Sequence, residues 1–145
     1  IIFNPLKRKE MKANILFICK YNRFRSRIAE DYFNQINKNQ KIKARSAGII
    51  QGSPVNQAER KTCKAMRLDI SGKPQGLSSK LLKWQDITVI VADDVPKEIF
   101  KNNKKYGKKL LVWEIPDNKG DTKKEIGQIV ESIKHKVEGL VKELK

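Results

Sequence analysis

Apolar and polar positions along this 145-residue chain alternate between two periodicities. Residues 14–19 (NILFIC) run apolar almost without interruption, the pattern of a central strand buried on both faces. Beyond Ser26, Ile28, Ala29, Tyr32, Phe33 and Ile36 recur at helical spacing and predict a helix to about Asn37. Residues 41–46 (KIKARS) suggest a second short strand, closed by Ala47 and Gly48. Ser53-Pro54 then opens a helix that carries Val55, Ala58, Thr62, Ala65 and Met66 and ends near Leu68. Residues 77–84 (LSSKLLKW) suggest a short third helix, and ITVIVA at 87–92 is the clearest strand. Asp93 or Asp94 is placed to cap a following helix over 95–106 (VPKEIFKNNKKY). A last strand, KLLVWEI at 109–115, is halted by Pro116-Asp117-Asn118-Lys119-Gly120. Finally Ile126, Ile129, Val130, Ile133, Val137, Leu140 and Val141 share one face of a long amphipathic helix.

Four alternations of strand and helix predict an α/β fold: a three-layer sandwich with a four-stranded parallel sheet and helices on both faces. Ligands in such folds gather beyond the carboxyl ends of the strands, where the strand order reverses, and Cys19 and Asp117 both lie at strand ends of that kind. The length suits one domain, expected over 11–145, preceded by an N-terminal extension over 1–10. The apolar runs are strand-sized, too short to span a bilayer, and IIFNPLKRKE holds no secretory signal, so a cytoplasmic location away from membranes is expected.

Charge sharpens the picture. The formal net charge is +16, and residues 1–45 hold 12 Lys/Arg against 3 Asp/Glu, so the expected partner is negative. Alternatively, the lysines serve only solubility or heat tolerance. Two cysteines far apart and one histidine give no disulfide framework and no metal-ligand pattern, so no metal or other cofactor is expected.

The chemistry concentrates in Cys19-Lys20-Tyr21-Asn22-Arg23-Phe24-Arg25-Ser26, a short loop between a strand and a helix. Such a loop turns backbone N–H groups toward an anion, and the helix dipole adds favourable potential. Arg25 can grip two oxygens of a tetrahedral anion through its planar fork. The same donors favour the thiolate form of Cys19, a nucleophile, and Ser26 is placed to hydrogen-bond the sulfur. Displacing an alcohol from phosphorus also needs a carboxyl group facing the sulfur. Asp117 is the first candidate, with Asp93 and Asp94 as rivals.

Taken together these pieces resemble the low-molecular-weight protein-tyrosine-phosphatase family, whose fold is shared with thioredoxin-coupled arsenate reductases. The matching segments are ILFICKYNRFRSRIAE at 15–30, RSAGI at 45–49, DISGK at 69–73, ITVIVADD at 87–94 and EIPDNKGD at 114–121. The resemblance implies a phosphotyrosine phosphatase type I-like fold, with Cys19 as the nucleophile that forms a phosphocysteine and Arg25 as the phosphate clamp. It makes Ser26 the thiolate partner and Asp117 the general acid, then base. Lys20, Tyr21, Asn22, Arg23 and Phe24 complete the phosphate-binding loop, held by Asn22 and Ser46. The implied partners are a phosphorylated protein or small phosphomonoester, with inorganic phosphate as product, and the protein is expected as a monomer or weak dimer.

Several positions depart from the family pattern. Tyr21 stands where Gly is usual, and Phe24 replaces a frequent second cysteine that protects the first from peroxide. Asp117-Asn118-Lys119 replaces Asp-Pro-Tyr, which removes an aromatic wall of the cleft, and Lys73 replaces a supporting histidine. Tyr21 is either a substitute ring at the mouth or a packed loop residue. Arg23 near the mouth is expected to repel phosphoarginine. Two other readings remain. One is arsenate reduction with an external thiol, since Cys63 reads as a buried apolar residue. The other is a non-catalytic phosphate- or nucleic-acid-binding module, although no nucleic-acid motif is visible and no such partner is expected.

Overall fold

A computed structural model describes residues 11–144. The expected extension over 1–10 lies outside the described residues. Four strands, β1 (Ala13–Cys19), β2 (Ile42–Gly48), β3 (Ile87–Val91) and β4 (Lys109–Trp113), form one parallel sheet in the order β2-β1-β3-β4. The connections carry α1 (Arg25–Ile36), α2 (Gln57–Ala65), α3 (Ser79–Trp84) and, after β4, α4 (Lys123–Glu143). The α/β expectation therefore holds.

The uninterrupted apolar run of β1 is explained by its central position, because each face of the sheet has its own core. Ala13, Ile15 and Phe17 join Ile28, Phe33, Val89, Trp113, Ile126 and Ile133 on the side of α1 and α4. Leu16, Ile18 and Cys19 join Leu81, Ile90, Val95 and Phe100 on the other side. Phe17 packs with ring centroids 6.0 Å from both Phe33 and Trp113. Truncating so buried a ring to alanine costs about 3–5 kcal/mol. β2, at an edge, alternates buried Ile42 and Ala44 with exposed Lys43 and Arg45, which discourages further strand pairing.

Two elements differ from the sequence reading. The helix expected over 95–106 is instead two 3-10 turns, Lys97–Phe100 and Lys104–Tyr106. The buried Asn103 between them donates to Lys109 O (3.0 Å) and accepts from Gln85 Nε2 (2.9 Å), tertiary bonds that hold the chain out of a continuous helix. α2 begins at Gln57 rather than at the Ser-Pro pair. Asn56 is its N-cap in a reciprocal capping box with Glu59, a stronger start signal than proline alone.

The strand order reverses between β1 and β3, so their carboxyl ends open a crevice. β1 delivers Cys19 there, β3 delivers Asp93 and Asp94, and the segment after β4 delivers Asp117.

Candidate active site

Five residues, Lys20 to Phe24, connect β1 to α1, and their path is inherited from the sheet. The ladder between β1 and β2 continues past both strands: Ile49 N donates to Cys19 O (3.2 Å), Ile50 N to Lys20 O (3.0 Å) and Gly52 N to Tyr21 O (3.1 Å). The approach is close enough to require glycine. A Cβ on Gly48 would lie 2.7 Å from Asn22 N, and one on Gly52 would lie 2.6 Å from Tyr21 Cβ. The chain then turns back through Asn22, whose φ of +53° is a left-handed conformation that asparagine tolerates better than most residues. Because the left-handed residue is Asn22, Tyr21 sits in the usual glycine position without demanding positive φ. Its side chain is exposed, at 36%, with Lys20 Nζ 5.2 Å from the ring centroid, so it is not a packed loop residue.

Cys19 Sγ is buried, 3.0 Å from Ser26 Oγ and 3.3 Å from Asn22 N, which donates to it. Asn22 spans the turn: its Nδ2 donates to Ser26 Oγ and to Ser46 Oγ, each at 2.9 Å, and its Oδ1 accepts from Gln75 N at 2.9 Å. Ser46 donates in turn to Glu30 Oε1 (2.5 Å), and Gln75 Nε2 donates to Ser46 O (2.7 Å). Burial pushes the Glu30 carboxyl above its ordinary value, opposed by the Ser46 hydrogen bond and the nearby Arg27 charge. The structure thus brings Cys19, Asn22, Ser26 and Ser46 together, and adds Glu30 and Gln75, which sequence reasoning missed. Lys73 contributes a backbone carbonyl to Arg27 Nη1 (3.0 Å), and the bonds to Asn22 Oδ1 and Ser46 O come from Gln75.

Arg25 opens α1 and is buried, its side chain 2% exposed. Nη1 donates to Ile115 O (2.9 Å), while Nη2 donates to Asp94 at 3.0 and 3.3 Å and lies 3.9 Å from Asp117 Oδ2. Asp93 is 3.7 Å from Nη1. This corrects the reading of the two aspartates as helix caps: Pro96 occupies the cap of the 3-10 turn with no side-chain bond, and Asp94 orients Arg25. Asp117 is half exposed and accepts from Asn118 N (3.0 Å), in a loop that borders a cleft of about 360 Å³ with Glu125, Gln128 and Ile129.

Two other expected loop residues act differently from Arg25. Phe24 is a core side chain at the head of α1 and offers the site only backbone. Arg23 turns away to the buried Glu59, with Nη2 to Oε1 at 2.8 Å. It is therefore not the free cation expected to repel phosphoarginine, since the Glu59 carboxylate compensates it. Cys63 lies in the core of α2, where burial and the Glu59 charge push its thiol up to about 12. Among the described residues, no group of three or more His, Cys, Asp or Glu is placed to hold a metal ion. Nor is any described helix long and apolar enough to cross a membrane.

A family model described as low molecular weight phosphotyrosine protein phosphatase matches residues 14–145. No curated protein matches by sequence. Among solved structures, the chain is similar to the low molecular weight protein tyrosine phosphatase of T. tengcongensis (22% identity, 91% of this chain and 99% of that one, TM-score 0.78). It is also similar to the YwlE arginine phosphatase of Geobacillus stearothermophilus (18%, 91% and 92%, 0.76) and to an arsenate reductase of Archaeoglobus fulgidus (25%, 88% and 98%, 0.70).

Proposed function

The chain belongs to the low molecular weight phosphotyrosine protein phosphatase family, and from that premise we propose that it hydrolyses phosphomonoesters, protein phosphotyrosine foremost, through a phosphocysteine on Cys19. The Cys19 thiolate attacks phosphorus, the bond from phosphorus to the leaving oxygen breaks, and the Asp117 carboxyl gives that oxygen its proton. Asp117, now a carboxylate, takes a proton from water. The resulting hydroxide attacks the phosphocysteine and releases inorganic phosphate and the thiolate. Arg25 and the loop amides bind the non-bridging phosphoryl oxygens, whose charge needs balancing in both transition states. Ser26 and Asn22 N hold the sulfur, while Asn22 and Ser46 hold the loop.

One observation carries this reading: Arg25, six residues beyond a thiol that accepts a main-chain N–H, reaches within 3.9 Å of Asp117 from a distant loop. Nucleophile, anion clamp and proton donor thus share one crevice. Tyr21, exposed on the loop itself, supplies the aromatic surface that Asn118 and Lys119 do not. Arsenate reduction through Cys19 has less support, because Cys63 is too buried and too weakly acidic to resolve an adduct, leaving an external thiol as the necessary reductant.

The test is turnover of phosphotyrosine, phosphoserine and phosphoarginine peptides, and of arsenate with thiol reductant, by wild type and Cys19→Ser. The expected result is phosphotyrosine hydrolysis that disappears in Cys19→Ser. Persistence of turnover in that variant overturns the assignment of the nucleophile, and arsenate reduction without hydrolysis overturns the reaction class.

A further inference from the structure

The loop bearing Asp117 is tied at both ends to the phosphate-binding loop. At its start, Ile115 O accepts Arg25 Nη1 (2.9 Å) and also Asp93 N (3.1 Å). At its far end, Asp121 Oδ1 accepts from Asn56 Nδ2 (3.0 Å). Asn56 is the N-cap of α2: its Oδ1 accepts Glu59 N (2.8 Å), and its N donates to Glu59 Oε1 (3.2 Å). That same oxygen receives Arg23 Nη2 from the phosphate-binding loop at 2.8 Å. An unbroken polar chain, Arg23–Glu59–Asn56–Asp121, thus runs from one loop to the other through the first turn of α2. Glu59 is its pivot. It is buried, and a buried carboxylate is retained only when it is paired and bonded on several sides, as here.

We propose that this chain is a strut that sets the separation of the Asp117 loop from the phosphate-binding loop, and that Glu59, Asn56 and Asp121 are positioning residues for proton donation to the leaving group. The proposal rests on the reading of Asp117 as that donor. Its energetic logic is that proton transfer is sensitive to small displacements, whereas anion binding by Arg25 and the loop amides is held separately through Asp94 and Asn22. Loosening the strut therefore penalises substrates whose leaving oxygen needs the proton and spares those with a stable leaving anion.

The experiment compares phenyl phosphate with p-nitrophenyl phosphate for wild type, Glu59→Gln, Asp121→Ala and the double variant. Hydrogen exchange of the amides of residues 117–121 is followed in parallel. Glu59→Gln keeps the shape of the side chain and removes the charge that holds Arg23, and Asp121→Ala, at an exposed position, cuts the chain with little risk to folding. With either change, kcat for phenyl phosphate falls by roughly threefold to tenfold, and kcat for p-nitrophenyl phosphate by less than about twofold. KM is unchanged, amides 117–121 exchange faster, and the double variant is no worse than the more damaged single one. Equal losses on both substrates, additive losses, or unchanged exchange overturn the strut. The exchange measurement needs no turnover, so it judges the strut even if Cys19→Ser has already refuted the phosphatase reading.

Discussion

The two halves of the site are built differently. On the Cys19 side, Cys19, Asn22, Arg25 and Ser26 are all buried, and the network joins side chains from β1, the loop after it, α1 and β2 to Gln75 N in the segment before α3. Removing one partner there strands others in a dry environment, at about 1–3 kcal/mol for each buried polar group left unsatisfied. On the Asp117 side, that carboxylate is half exposed, bonded among the described residues only to its neighbour's amide, and 3.9 Å from the nearest guanidinium nitrogen. The contrast suits the work proposed for each half. An anion cradle gains from donors fixed in advance, whereas a proton donor must meet leaving groups of many shapes and then turn to water, which favours a solvent-facing loop.

Arg25→Lys is the hardest strike at the rigid half. It keeps a positive charge for Asp94 but loses the planar fork, and kcat/KM should fall by about 10²–10³. Steady-state kinetics showing less than about a tenfold loss would mean that the fixed geometry of this half matters little. Asp117→Asn strikes the exposed half. Loss of the proposed proton donor should slow phenyl phosphate by about 10²-fold while p-nitrophenyl phosphate loses markedly less. Equal slowing of both would show that Asp117 acts on something other than the leaving oxygen.

Glu30→Gln should have the smallest effect on turnover and a readable one on stability. A carboxyl whose pKa is raised by burial binds its proton more tightly in the folded protein. The stability this brings is complete below the ordinary value of 4.5 and is lost as pH rises through the raised value. Glutamine does not titrate and still accepts from Ser46. Thermal unfolding should therefore show the variant gaining on wild type as pH rises above the ordinary value of 4.5. A constant difference across that range would show that Glu30 carries no such burden.

Much of this was legible in the sequence because the signals are local. The run NILFIC could only be a strand with a core on each side, and the spacing from Ile126 to Leu140 could only dock along one face. The loop from Cys19 to Ser26 announced its chemistry through residue types and spacing. What escaped depends on contacts across the chain. Asp94 reads as a cap until Arg25, 69 residues earlier, is folded against it. Glu30 reads as one more charge on an amphipathic helix until β2 sets Ser46 above it. Residues 95–106 hold helix-forming lysines, and only Asn103, reaching back to Gln85, decides for two short turns. The Asn56–Glu59 capping box is also written in the letters, but the sequence reading rested on the Ser-Pro pair and did not take it up.

The glycines at 48 and 52 have a consequence for how such a protein diversifies. Both lie against main-chain or Cβ atoms of Tyr21 and Asn22, so neither admits a larger residue without moving the loop. Tyr21 is itself 36% exposed, and the glycine contacts reach its main chain and Cβ rather than its ring. A randomised library spanning these three codons should recover glycine at the first two and a wide assortment at the third, which on the proposed reading makes position 21 a handle for retuning substrate choice while the reaction stays the same.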